Sequence, residues 1–167
     1  MGEADILKAV LTLPGVQSVG EATVGCNVRG GATDQNLILF NDATIYNPSH
    51  LFGFFSSFNA DLLKNVELYK SGVPAEYGGR ISSVLDVTTR EGNKRKWGGS
   101  GGISPITGRF ALEGPIMKDK SSFLIGGRST YSDWILKQSS YDRVKNSEAA
   151  FYDLNLNISH EINSKNN

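Results

Sequence analysis

Few residues in this chain are of a kind that does covalent chemistry, and their spacing keeps those few apart. The two histidines, His50 and His160, fall in different structural units by pattern, and no Ser-His-Asp or HExxH arrangement can be assembled around either. His50 ends an Asn-Pro-Ser-His turn, where a capping or solvent-facing imidazole is the simpler reading and a ligand-facing one the alternative. The carboxylates Asp34, Asp42, Asp61, Glu67 and Glu76 are scattered without the spacing of a calcium loop. Two arginine-bearing glycine turns, Val28-Arg29-Gly30-Gly31 and Tyr77-Gly78-Gly79-Arg80, hold neither a Walker lysine pattern nor a GxGxxG after a strand. Their glycines serve backbone turning rather than phosphate binding. Cys26 is the sole cysteine, which excludes an internal disulfide and a multi-cysteine metal site, and it reads as a small buried side chain beside Val28. The expectation is a non-enzyme that needs no cofactor.

Composition narrows the class further. The 167 residues carry 17 basic and 17 acidic side chains, so no surface for nucleic acid is expected. No run of about 18 apolar residues exists to cross a bilayer as a helix. Met1-Gly2-Glu3 lacks the basic and apolar regions of a secretory signal, so an exported parent would have its leader missing here; the chain also stops just after a strand pattern, as expected of a piece of something longer.

The elements that must position these residues fall into two stretches. Residues 5–13 read as a short helix with Ile6, Leu7, Val10 and Leu13 on one stripe, ended by Pro14-Gly15. Strands are expected at residues 16–20 and 26–29, with loops at 21–25 and 30–34, and the run NLILFN at residues 36–41 suits a strand covered on both faces. The turn Asn47-Pro48-Ser49-His50 offers Ser49 as a helix cap, and Leu51, Phe52, Phe54, Phe55 and Phe58 form a candidate core cluster. Another helical turn starts at Asn59-Ala60-Asp61, followed by strands through Val66 and Leu68 and through residues 84–89. Gly92-Asn93-Lys94-Arg95-Lys96 then reads as a charged linker.

Beyond the linker the pattern has period two. Phe110, Leu112 and Ile116 oppose Thr107, Arg109 and Glu113; Phe123, Ile125 and Tyr131 oppose Arg128 and Thr130. Tyr152, Leu154, Leu156 and Ile158 alternate with Asp153, Asn155, Asn157 and Ser159 without a break. A first strand is expected at residues 98–104. A soluble sandwich and a transmembrane barrel both give this alternation. A tight turn at Met117-Lys118-Asp119-Lys120 and a longer polar connection at residues 132–148 match the short periplasmic turns and longer external loops of barrels.

Taken in order, VRGG, NLILFN, the Tyr46-Asn47-Pro48-Ser49-His50 turn and KNVELYKSGVPAEYGGRISSVLDVTTREG resemble the plug, or cork, domain of TonB-dependent outer-membrane receptors. The wording of residues 36–59 is most similar to Bacteroidetes-type members, although Asn41-Asp42-Ala43 replaces the family's usual Asp-Gly turn. The resemblance implies an α+β fold: a small mixed-sheet plug domain at residues 1–91, a linker at 92–96, and at 97–167 the first four antiparallel strands of an incomplete transmembrane β-barrel, of about 22 strands in the family. In that family the arginine of VRG pairs with glutamates of the inner barrel wall, which implies Arg29 as the plug-to-barrel latch, with Lys70 and Arg80 as further candidates. Ligand-facing apices map onto residues 17–25, 32–36 and 46–50, with Asp34, Gln35, Asn36, Tyr46, Asn47 and His50 as the contact set. Those types suit a siderophore, a glycan or another polar nutrient. Implied partners are the TonB protein, reached through an N-terminal segment not seen here, the transported ligand and outer-membrane lipid; a SusD-like surface lipoprotein is left open. The implied location is the outer membrane. The competing reading is a soluble secreted or periplasmic β-rich binding domain, in which the alternating strands pack on the α/β unit rather than expose an aliphatic band.

Overall fold

The computed structural model describes residues 5–20, 25–50, 55–131, 137–138 and 150–162. Two compact units, Glu3–Arg90 and Glu91–Asn167, divide the chain. The expected loops at residues 21–25 and 132–148, and the Leu51 to Phe54 part of the aromatic cluster, lie largely or wholly outside the described residues.

In the first unit, Asp5 caps α1 (Ile6–Val10), its Oδ1 accepting from the amides of Leu7 and Lys8 while Oδ2 accepts from Ser56 N–H at 3.0 Å. The helix stops before Leu13 because Pro14 disfavours helical geometry in the residue ahead of it. Gly15, at φ +80°, then turns the chain into β1 (Val16–Ser18), which pairs antiparallel with β2 (Cys26–Val28). Where a loop was expected, Thr33–Gln35 form a 3-10 turn in which the Gln35 side chain accepts from Ala32 N–H.

β3 (Asn36–Phe40) leads through a two-residue turn into β4 (Ala43–Thr44). Both turn residues lie in the left-handed region, Asn41 at φ +48° and Asp42 at φ +65°, the pairing that a type I′ hairpin requires. Asn and Asp tolerate that region better than other side-chain-bearing residues, so the turn forms without glycine. Asn41 is also held from outside: its Oδ1 accepts from Thr89 N–H at 2.9 Å.

Ser49 does not cap a helix. Ser49–His50 form β5, paired with β6 (Phe55–Ser56), because the Pro48 carbonyl accepts from Ser57 N–H at 2.8 Å and draws the segment into a hairpin. Asn59 caps the expected turn at Ala60–Leu62, after which β7 (Leu63–Tyr69) and β8 (Ser83–Thr89) complete a sheet of order β4-β3-β8-β7. The β3 and β8 pair is parallel and its neighbours are antiparallel, so the sheet is mixed.

Both faces of that sheet are covered, as the apolar run of β3 predicts. On one, Leu85 and Val87 pack with Val10, Val16, Val28 and Phe58; on the other, Leu37, Leu39 and Val84 pack with Tyr69 and Tyr77. Phe58 meets Phe40 at a ring separation of 5.5 Å.

The second unit is an antiparallel meander of β9 (Gly98–Ile103), β10 (Thr107–Met117), β11 (Ser121–Thr130) and β12 (Tyr152–His160). Register sets Leu112 opposite Ile125, and Ile125 opposite Leu156; Phe123 stands opposite Ile158. That face is open: Phe110 is 49 %, Leu112 42 %, Leu154 68 % and Leu156 62 % exposed.

Glycines on this face make room for aromatic rings. A Cβ on Gly127 would sit 2.6 Å from the Phe110 ring, and one on Gly114 would sit 2.8 Å from the Trp97 ring, which also meets Phe123 edge-on at 5.3 Å. The opposite face is polar and holds Arg128, buried among these strands. Arg128 stands between Arg109 and Asp153 in cross-strand register, donates to Asp153 Oδ2 from Nε at 3.1 Å and from a terminal nitrogen at 2.6 Å, and lies 5.1 Å from the centre of the Phe151 ring.

Residues 92–96, read from sequence as a linker, are stitched to this meander. Gly92 is buried, and a Cβ there would lie 2.0 Å from the Phe123 carbonyl oxygen. Asn93 N–H donates to Glu113 Oε2 at 3.0 Å, the Lys94 carbonyl accepts from Asp119 N–H at 2.9 Å, and the Arg95 guanidinium pairs with Asp119.

Candidate functional site

Three separated segments of the first unit converge on one cavity of about 400 Å³. The start of β2 contributes Cys26, the 3-10 turn and the head of β3 contribute Thr33, Asp34 and Asn36, and the segment after β4 contributes Tyr46 and Asn47. The type I′ turn brings this about: reversing the chain at Asn41-Asp42 returns residues 44–48 to the level at which β3 starts. Arg80, from the long connection between β7 and β8, also lines the space.

The cavity sorts the residues expected from sequence. Asp34, Tyr46 and Asn47 are exposed and offer a carboxylate, a phenol ring and an amide to a ligand. Tyr46 is 84 % exposed, so the ring is free to close over a bound group. Asn36 lines the cavity differently. It is buried, its amide donates to the Cys26 carbonyl at 2.7 Å, and its Oδ1 accepts from Ser83 Oγ at 2.7 Å, so it fixes the wall rather than presenting donors. Gln35 spends its side-chain oxygen on Ala32, and His50 lies on β5; neither lines the cavity. Cys26 does line it, and burial pushes its thiol above the ordinary range, so it is a neutral group there and no nucleophile.

The three expected latch residues do not gather in one place. Arg29, itself left-handed at φ +51°, donates its backbone N–H to Gly15 O at 2.9 Å, and Lys70 Nζ donates to Pro14 O at 2.8 Å, so both meet the Pro14-Gly15 turn. The Arg29 side chain is exposed and makes no ion pair among the described residues. Arg80 belongs instead with Thr33 and Asp34 at the cavity, which gives that space both a cation and an anion. Sequence reasoning carried no signal for this, because the connection holding Arg80 has no periodicity.

A second cluster lies on the sheet face packed against Leu37 and Leu39. Glu67 and Asp86 are cross-strand neighbours. The Tyr69 hydroxyl donates to Glu67 and the Tyr77 hydroxyl to Asp86 Oδ2 at 3.2 Å. The bond to Glu67 pushes the Tyr69 phenol up to about 12 and, with Asn65, holds Glu67 below the usual carboxylate range. Burial first, and the bond to Asp86 second, raise Tyr77. Among the described residues no three His, Cys, Asp or Glu side chains group as a metal site.

A mixed-sheet unit followed by an antiparallel wall with an apolar outer band defines the plug-and-barrel class of outer-membrane receptor. Residues 1–84, just over half of the chain, match the family model described as TonB-dependent Receptor Plug Domain, and the chain belongs to that family. Among solved structures, the siderophore receptor PirA from Pseudomonas aeruginosa is 18 % identical with a TM-score of 0.64, over 96 % of this chain and 28 % of that one. The ferric enterobactin receptor PfeA from the same organism, solved as an arginine-to-alanine mutant in complex with enterobactin, is 17 % identical with a TM-score of 0.65, over 96 % and 29 %. PirA from Acinetobacter baumannii is 22 % identical with a TM-score of 0.57, over 75 % and 22 %. The chain thus spans between 22 % and 29 % of the length of these receptors, and the likeness is one of fold. No curated protein matches it.

Proposed function

We propose that this chain is the gating plug and the opening wall strands of an energy-coupled importer of the outer membrane, and that its apex cavity makes the first contact with the ligand. The plug ends at residue 91, residues 92–96 connect, and the wall follows. The observation that carries this reading is the convergence of Asp34, Tyr46, Asn47 and Arg80 on one open cavity of the first unit; the exposed apolar face of the strands in the second unit supports it.

Arg80 and the Tyr46 ring suit an anionic, oxygen-rich and partly aromatic ligand. A siderophore fits that description better than a neutral glycan, and the structurally similar receptors are siderophore receptors by description. Arg29, its guanidinium exposed, is the latch to carboxylates of the barrel interior, with Lys70 beside it; release follows when TonB pulls on the N-terminal side of the plug.

The test is uptake by cells carrying the parent receptor. Labelled ferric siderophore and labelled oligosaccharide are offered to parent, Tyr46→Ala and Arg80→Ala receptors at matched surface levels. Loss of each cavity contact is expected to lower siderophore uptake about tenfold at limiting ligand. Uptake of the glycan alone, or indifference to both substitutions, refutes the ligand class.

A further inference from the structure

We propose that the end of the wall sheet built from residues 94–97 and the 118–120 turn is a docking fringe for the headgroups of anionic phospholipids. The inference rests on reading the exposed face of β9 to β12 as lipid-facing, and adds to it a leaflet preference written in charge.

The two ends of that apolar band differ. At one end five cations gather, Lys94, Arg95, Lys96, Lys118 and Lys120, together with Glu91, Asp119 and Glu161. Contacts dispose of the acidic groups: Lys94 lies 3.5 Å from both Glu91 and Glu161, and Arg95 pairs with Asp119. Lys96, Lys118 and Lys120 remain, all exposed and without a carboxylate partner among the described residues. At the other end, the Ser104-Pro105-Ile106 turn and the strand ends through Tyr131 and Tyr152 carry no charge on the apolar face.

The cationic end also carries an amphipathic ring. Trp97 is 67 % exposed and rests across Gly114 against Phe123, at the border where the apolar rows of Ile116 and Ile158 give way to lysines. An indole there and tyrosines opposite are what a water-to-hydrocarbon boundary selects at each edge. The 11 residues of β10, at about 3.4 Å each and a tilt near 45°, rise roughly 26 Å, close to the height of an outer-membrane apolar band. Three ammonium groups without a carboxylate partner among the described residues, at one edge of such a band, complement phosphate at the surface of one leaflet.

The full chain is titrated with vesicles of phosphatidylcholine alone or containing phosphatidylglycerol, following Trp97 fluorescence in a Trp134→Phe background. Partition into the anionic vesicles is expected to exceed that into neutral ones by at least about tenfold at low salt, to converge at high salt, and to lose the excess in the Lys96→Gln, Lys118→Gln, Lys120→Gln triple variant but not in its Lys→Arg counterpart. Equal partition into both vesicle types, or an excess that survives in the glutamine variant, overturns the headgroup fringe while leaving the lipid-facing wall intact. Failure to partition into either vesicle type overturns the lipid-facing wall, and the fringe with it.

Discussion

At the scale of single residues, the tyrosine and carboxylate pair on β7 gives a pH signature with a definite sign. Tyr69, raised to about 12 by its bond to Glu67, contributes stability that is complete below the ordinary tyrosine value near 10 and is lost as pH rises through about 12. Glu67, held low by the same bond, contributes stability that is complete above its ordinary value of 4.5 and fades as pH falls through the depressed one. The difference phenolate absorbance between parent and Tyr69→Phe chains should therefore titrate with a midpoint near 12; a midpoint at 10 would show that the bond does not form in solution. Asn41 and Asp42 show how a residue-level signal can hide. Lacking glycine, their turn has no obvious sequence mark, yet both adopt left-handed geometry because Asn41 is tied to Thr89, far along the chain.

At the scale of elements, alternation was the most legible feature and connections the least. The unbroken dyad of β12 and the continuous apolar run of β3 could each be read directly, because strand periodicity is local. The hairpin of β5 and β6 could not, since Ser49 carries a helix-cap chemistry that a hydrogen bond from Ser57 to Pro48 overrides. The place of Arg80 in the cavity was not legible for the same reason: only the tertiary path of an aperiodic loop brings it to the space that Asp34 also lines. On the wall, the element that matters energetically is the polar row through β11. Arg128 has a side-chain exposure of 2 % and its partner Asp153 one of 12 %, so removing one charge strands the other. Asp153→Ala should cost about 3–5 kcal/mol, whereas Arg128→Leu combined with Asp153→Leu should recover most of it. Urea unfolding in micelles reads both, and a small loss in the single variant would show that the pair is solvated.

At the scale of the whole molecule, the chain holds a mixed-sheet unit and an antiparallel meander in one continuous sequence, and the five residues read as a linker, 92–96, belong structurally to the meander. Gly92 leaves no space for a side chain against the Phe123 backbone, and Asn93, Lys94 and Arg95 each bind a strand or turn of the meander. On the proposed function, a stopper drawn out by force on its leading end would be moored at a fixed point. Pulling on the N terminus of the barrel-embedded receptor should release at most the first ~90 residues, about 300 Å of contour at roughly 3.4 Å each, before a distinct and higher rupture; a continuous ladder of steps past that length would show that the mooring gives way. On the gating function proposed above, a moored stopper would not drift away after the cargo had passed, and it would re-enter the same opening without a search.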